Sequence, residues 1–179
     1  MKLILWFLGM IIVGGAVVGG LAMMDAPAPT CAQGVVANSK AAEDSFNTKW
    51  RTFESSVNQA GTGNVVFTKE EVSSRAAAFV LEKNVPAQNV QVHLCQGAGK
   101  GEATAKFQVS GLSANVVVAG HVDTAGRKIV VDSLQLGRVP EQIATPLANT
   151  IIDLASVQVP AIVKTAASTA TQVTLTGQK

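Results

Sequence analysis

Apolar residues follow three different rhythms along this chain. From Leu3 to Met24 no charged residue interrupts them. At about 1.5 Å per helical residue that run covers about 33 Å, enough for a hydrocarbon core of about 30 Å. A helix apolar on every side needs an apolar surround on every side, so residues 1–24 predict a transmembrane anchor. A cleaved signal peptide is the competing reading, since Ala26, Ala28 and Ala32 supply small residues nearby, although its apolar region is usually only about 7 to 15 residues. Cys31 raises a lipoprotein cysteine as a third, but Ala28-Pro29-Thr30 before it lacks the usual aliphatic and small residues. Lys2 precedes the span and Asp25 follows it, which places the N-terminus in the cytoplasm and the remainder outside it. Gly15 with Gly19, and Ala16 with Gly20, permit close pairing of such spans.

The second rhythm is helical. Residues 25–39 hold Pro27, Pro29 and Gly34 and read as a linker. In residues 40–60, Phe46, Trp50, Phe53 and Val57 fall on one helical face, with Glu43, Asp44, Lys49 and Arg51 elsewhere. That face either packs on its own domain or meets a membrane surface or a protein partner. Gly61-Thr62-Gly63-Asn64 ends the helix, and Val65-Val66-Phe67 is a short extended stretch. Thr68-Lys69-Glu70-Glu71 is a capping box with Phe67 and Val72 as its hydrophobic staple. The helix it opens continues through Ala76, Phe79, Val80 and Lys83 and ends at Val85-Pro86.

Past Pro86 the period drops to two. Val90, Val92 and Leu94 alternate with polar residues, Gly97-Ala98-Gly99-Lys100-Gly101 turns the chain, and Ala103, Ala105, Phe107 and Val109 alternate again. A third strand runs from Ser113 to Asp123 and a fourth from Lys128 to Leu136, joined at Thr124-Ala125-Gly126-Arg127. Four strands in series on short turns predict an antiparallel meander. Residues 141–156 carry Ile143, Leu147, Ile151 and Leu154 on one side and predict a helix that Pro146 shifts or kinks. Val157, Val159, Ile162 and Val163 suggest an extended piece, Val173 and Leu175 a last strand, and residues 165–171 have no pattern. The predicted class is α+β: a transmembrane helix, then helices packed on a curved antiparallel meander sheet, with residues 40–179 forming one extracytoplasmic domain whose helix-plus-meander core is 65–179.

Composition narrows the function classes. A net charge of +2 and no basic cluster interleaved with aromatics argue against nucleic acid as a partner. Only 15% of residues are charged and Tyr is absent, as suits a β-rich domain outside the cytosol. Cys31 and Cys95 are the only cysteines; a bridge between them, closing a loop of about 65 residues, would add around 4 kcal/mol in the chain-entropy model. Two separate thiols remain the other option, because nothing in the sequence brings their Cα atoms together. His93 and His121 are the only histidines. His121-x-Asp123 puts both side chains on one strand face, yet no G-x-S-x-G supplies a nucleophile. Gly97-x-Gly99-x-Gly101 joins two strands and opens no helix, so it is a hairpin turn and not a dinucleotide loop. No catalytic role, metal or cofactor is expected.

The order of elements, with Phe67-Thr68-Lys69-Glu70-Glu71 opening a helix and Leu134-Gln135-Leu136-Gly137-Arg138-Val139-Pro140 preceding another, resembles the YpmS-type anchored bacterial proteins and, more distantly, the LmeA-type envelope proteins. The similarity covers roughly residues 65–179. It implies a tubular lipid-binding fold, in which a strongly curved antiparallel sheet surrounds an apolar channel. On that expectation Phe107, Val109, Val116, Val118, Ile129, Val131, Leu134 and Leu136 line a pocket for lipid acyl chains. The Val116-Val117-Val118 run, apolar on both faces, permits this but does not require it, since a three-layer or oligomeric arrangement would bury the same side chains with no ligand. The expected function is a membrane-anchored, lipid-binding or lipid-associated module of the cell envelope. A scaffolding domain that binds a protein partner through the 40–60 helix or a sheet edge is the alternative.

Overall fold

The structure, a computed structural model, describes residues 30–31, 34–82, 84, 87–109, 112–136 and 159–179. The expected span 1–24, the start of the linker, the Gly137-to-Pro140 junction and the 141–156 helix lie outside the described residues. No helix among the described residues is long and apolar enough to cross a membrane.

Helix α1 spans Lys40–Ala60. Its start is fixed by the Ser39 hydroxyl, which accepts from the Ala42 amide at 3.1 Å. Its end is fixed by Gly61 at φ 77°, whose amide donates to Val57 O. Strand β1 (Thr62–Thr68) follows, then helix α2 (Lys69–Glu82). The capping box forms as expected: the Thr68 amide donates to Glu71 Oε2 at 2.8 Å and the Glu71 amide to Thr68 Oγ1 at 3.3 Å. Strands β2 (Ala87–Leu94), β3 (Gly101–Val109), β4 (Leu112–Asp123) and β5 (Lys128–Leu136) make the antiparallel meander, in that spatial order.

The class is α+β with two helices on antiparallel sheets, but the meander is not the whole of it. A second, three-stranded sheet is ordered β1-β7-β6, where β6 is Val163–Ser168 and β7 is Gln172–Gln178. Val65-Val66-Phe67 is thus an edge strand paired to the chain's C-terminal strand. The stretch 165–171, patternless in sequence, contains most of β6 and the turn into β7. One bridge, Gly97 with Ser168, joins the two sheets.

Three register shifts explain why apolar residues of unlike parity share a face. In β5 the partner of Ala119 is Ser133 and that of Gly120 is Val131, so Asp132 is skipped. Ile129 and Val131 before the bulge and Leu134 after it therefore all turn inward, each at most 2% exposed. In β2 the shift lies between Gln88 and Gln91, where Asn89 takes φ 53°, a left-handed conformation Asn tolerates better than most residues. Ala87 on one side of it and Val90, Val92 and Leu94 on the other are all buried. In β6 the shift skips Lys164 and lets Val163 share a face with Ala166 and Ser168.

The core is one contiguous cluster that takes in both helices and both sheets. Helix α1 rests on β1 and β7 where Gly63 and Gly177 pair in register. A Cβ at Gly63 would stand 2.8 Å from Val57 Cγ2, and one at Gly177 would stand 2.5 Å from Phe53 Cζ, so the glycines are what let the helix sit this close. Phe46 stacks on Phe67 at 4.3 Å between ring centroids.

Candidate functional site

The stretch predicted as a free linker is, from Thr30 onward, largely docked. Val36 is buried and its amide faces Gln91 Oε1. Asn38 Nδ2 donates to Val90 O at 2.8 Å, Ser73 Oγ donates to Asn38 Oδ1 at 2.6 Å, and the Val92 amide donates to Ser73 Oγ. Asn38 and Ser73 thereby satisfy backbone groups along the outer edge of β2, which would otherwise invite another strand.

Closer to the N-terminus the chain is clasped. Glu102, on β3 and 4% exposed, accepts from the Thr30 amide, the Thr30 hydroxyl and the Cys31 amide, the last at 2.9 Å. Cys31 is joined to Cys95 in a disulfide, with Cα atoms 5.6 Å apart. The bridge, open in the sequence, is therefore formed. Ser168, buried, braces the same corner by donating to Cys95 O at 2.6 Å. A buried carboxylate, a disulfide and a hydroxyl thus fix the point at which the preceding chain meets the domain. Sequence reasoning missed Glu102; the available signal was a lone carboxylate in the alternating β3 pattern, immediately after the glycine turn that follows Cys95.

His93 sits opposite Glu102 in register and is also buried. Burial pushes its pKa down, Glu102 pulls it up and Lys69 pushes it down, with a net lowering that favours the neutral imidazole. Sulfur atoms of Cys31 and Cys95 and a carboxylate oxygen of Glu102 lie within 4.8 Å of one another, near enough to share a cation. With the sulfurs bonded to each other, neither is the thiolate that a soft metal requires.

The predicted pocket-lining residues divide. Val116, Val118, Ile129, Val131 and Leu134 are all in the contiguous buried core. Phe107, Val109 and Leu136 belong to β3 and β5, and their side chains lie outside the described residues. Val117 is buried on the opposite face of β4, so both faces of this strand are covered, as the sequence suggested. The α1 face of Phe46, Trp50, Phe53 and Val57 is a correction to one of its readings. All four are at most 5% exposed and packed within their own domain, so that stripe offers nothing to a membrane or a partner.

Two further charge clusters are structural. Burial pushes the Glu71 carboxyl up, but hydrogen bonds from Lys49, Ser45 and the Thr68 amide outweigh this and hold it below the ordinary carboxylate value. Lys49 Nζ also reaches Val66 O at 3.1 Å, tying α1 to β1. Arg75 lies buried in α2 with its guanidinium on Glu82 at 2.7 and 3.0 Å. His121 turns to Asp132, at 2.8 Å, and not to Asp123, whose carboxylate accepts from the Gly126 amide. The bulge at Asp132 is the reason: the skipped residue is thrown outward beside His121. No protein-family model, curated protein or solved structure was found to match this chain.

Proposed function

We propose that this chain is a membrane-anchored, extracytoplasmic envelope module that works at the lipid surface and carries no catalytic site. The single observation behind this is the Cys31–Cys95 disulfide. It lies a few residues after an uncharged run long enough to span a bilayer, and disulfides persist in oxidising compartments. Clasp and run together describe a domain tied short to its membrane. Of the two lipid readings, association with the surface is better supported than enclosure of an acyl chain, because the described lining candidates on β4 and β5 are shared with the helix-packed core. Scaffolding through the α1 stripe loses its basis, because that stripe is occupied.

The test is cell fractionation of the full chain expressed in a bacterium. Retention in the membrane pellet after alkaline carbonate, digestion by protease added to spheroplasts, and cysteines that react with maleimide only after reduction are the expected results. Recovery in the soluble cytosolic fraction with freely reactive thiols would overturn the reading. Native mass spectrometry of the detergent-released chain addresses the acyl question: a bound lipid lost in Val118→Glu would restore the enclosed pocket.

A further inference from the structure

We infer that the pole of the domain carrying the β2–β3 and β4–β5 turns faces the membrane and that Lys100, Arg127 and Lys128 there meet anionic lipid headgroups. This rests on the anchored reading above and adds an orientation to it.

Leash length is the first argument. Cys31 lies only seven residues beyond Met24, the last of the uncharged run, which at no more than about 3.6 Å per step is a reach of about 25 Å. Cys31 is pinned by the disulfide to Cys95 and by Glu102. The domain therefore cannot put this corner far from the bilayer. Without the pin, the next buried hold on the chain is Val36, and the reach grows to about 43 Å.

Register is the second argument. Gly101 pairs with Gly120, and Asp123 with Lys128, so the turns at 95–100 and 124–127 project from the same end of the four-stranded sheet. The Gly97–Ser168 bridge adds the β6–β7 turn to that end. Lys106 pairs with Asn115 toward the opposite end of the same sheet, which leaves the exposed Asn115 at the far pole.

Charge is the third. Lys100, Arg127 and Lys128 are exposed at the near pole. The carboxylates beside them are less exposed: Glu102 is buried, Asp123 and Glu70 are half-buried, and Lys69, 3.9 Å from Glu70, offsets the latter's charge. What that pole presents to solvent is mainly cationic, complementary to phosphate headgroups within a Debye length of the surface.

The experiment uses the full oxidised chain reconstituted into vesicles of phosphatidylcholine, with and without phosphatidylglycerol, that contain a headgroup-linked quencher. A fluorescent amino acid replaces either Ala98 at the near pole or Asn115 at the far one. In anionic vesicles quenching at Ala98 is expected to exceed that at Asn115 by about twofold or more. The ratio should fall toward one in the Cys31→Ser/Cys95→Ser variant and also on reduction of the wild type with dithiothreitol, which controls for misfolding. It should fall in Lys100→Glu/Arg127→Glu/Lys128→Glu as well, while the vesicles still retain the chain. Equal quenching at the two sites in the oxidised wild type, or a ratio that neither loss of the bridge nor charge reversal changes, would overturn the orientation alone. A chain that an alkaline wash strips from the vesicles would overturn the anchored reading itself.

Discussion

Helix α1 can lie on β1 and β7 because Gly63 and Gly177 present no side chains to it, and a double-mutant cycle makes that quantitative. A methyl at Gly63 would approach Val57 Cγ2 to 2.8 Å, where carbon atoms prefer about 3.5 to 4.0 Å, and Phe53 Cδ2 to 3.3 Å. Val57 is 0% exposed and cannot swing out into solvent. Overpacking of this kind costs about 1 to 3 kcal/mol, the expected loss for Gly63→Ala. Val57→Ala alone should cost about 2 kcal/mol through lost burial and the cavity it leaves. In the Val57→Ala background the 2.8 Å contact no longer exists, and the new methyl enters the vacated space. Gly63→Ala should then be nearly neutral, a coupling of about 1 kcal/mol or more. The assay is urea unfolding of the detergent-solubilised chain followed by Trp50 fluorescence, with linear extrapolation. Additivity of the two changes to within about 0.5 kcal/mol would refute the seating of α1 on the glycine pair.

Other consequences follow from the caps, the buried ionisable groups and the bridge. Thr68→Ala should lower stability by about 1 kcal/mol and Thr68→Ser much less, read as shifts in the urea midpoint. His93 is buried with its pKa below 6.5, so as pH falls through that value the unfolded chain takes up a proton the folded one refuses, and stability declines; His93→Gln should flatten this step in pH-resolved midpoints. Glu71 has the lowered carboxyl, so its contribution is complete above about 4.5 and is lost as pH drops through its folded value, a second acid step that Glu71→Gln removes. Replacing both cysteines by serine opens a 64-residue separation and should cost about 4 kcal/mol in the chain-entropy model, checked by comparing oxidised wild type with the double variant.

Legibility in the sequence tracked regular periodicity. The spacing of Phe46, Trp50, Phe53 and Val57 gave α1 to the residue, because a helix buries one stripe and its caps are local in sequence. The Thr68/Glu71 box was equally readable, since both partners lie within one turn. Strand β5 was bounded correctly, but its inward face was not derivable from alternation: Ile129 and Val131 are odd, Leu134 is even, and only the skipped Asp132 reconciles them. The same irregularity hid β6, where Lys164 interrupts the alternation and Ala166, Ala167 and Ser168 carry too little apolar contrast to mark a strand. Pairing of β1 with β7 joins residues more than a hundred positions apart, and nothing local encodes it. The clasp was half visible. Two cysteines suggested a bridge, but the role of Glu102 depends on which residue the returning chain lays against it.

The disulfide also governs what happens when the backbone is cut. Because it ties the start of the domain to the turn after β2, a protease that cleaves between Cys31 and Cys95 makes two polypeptides that are still one molecule. Under the anchored reading proposed above, shedding the domain then requires either a second event, reduction, or a scissile bond in the few residues before Cys31. A nick in either helix leaves every strand of the meander covalently joined to Cys31.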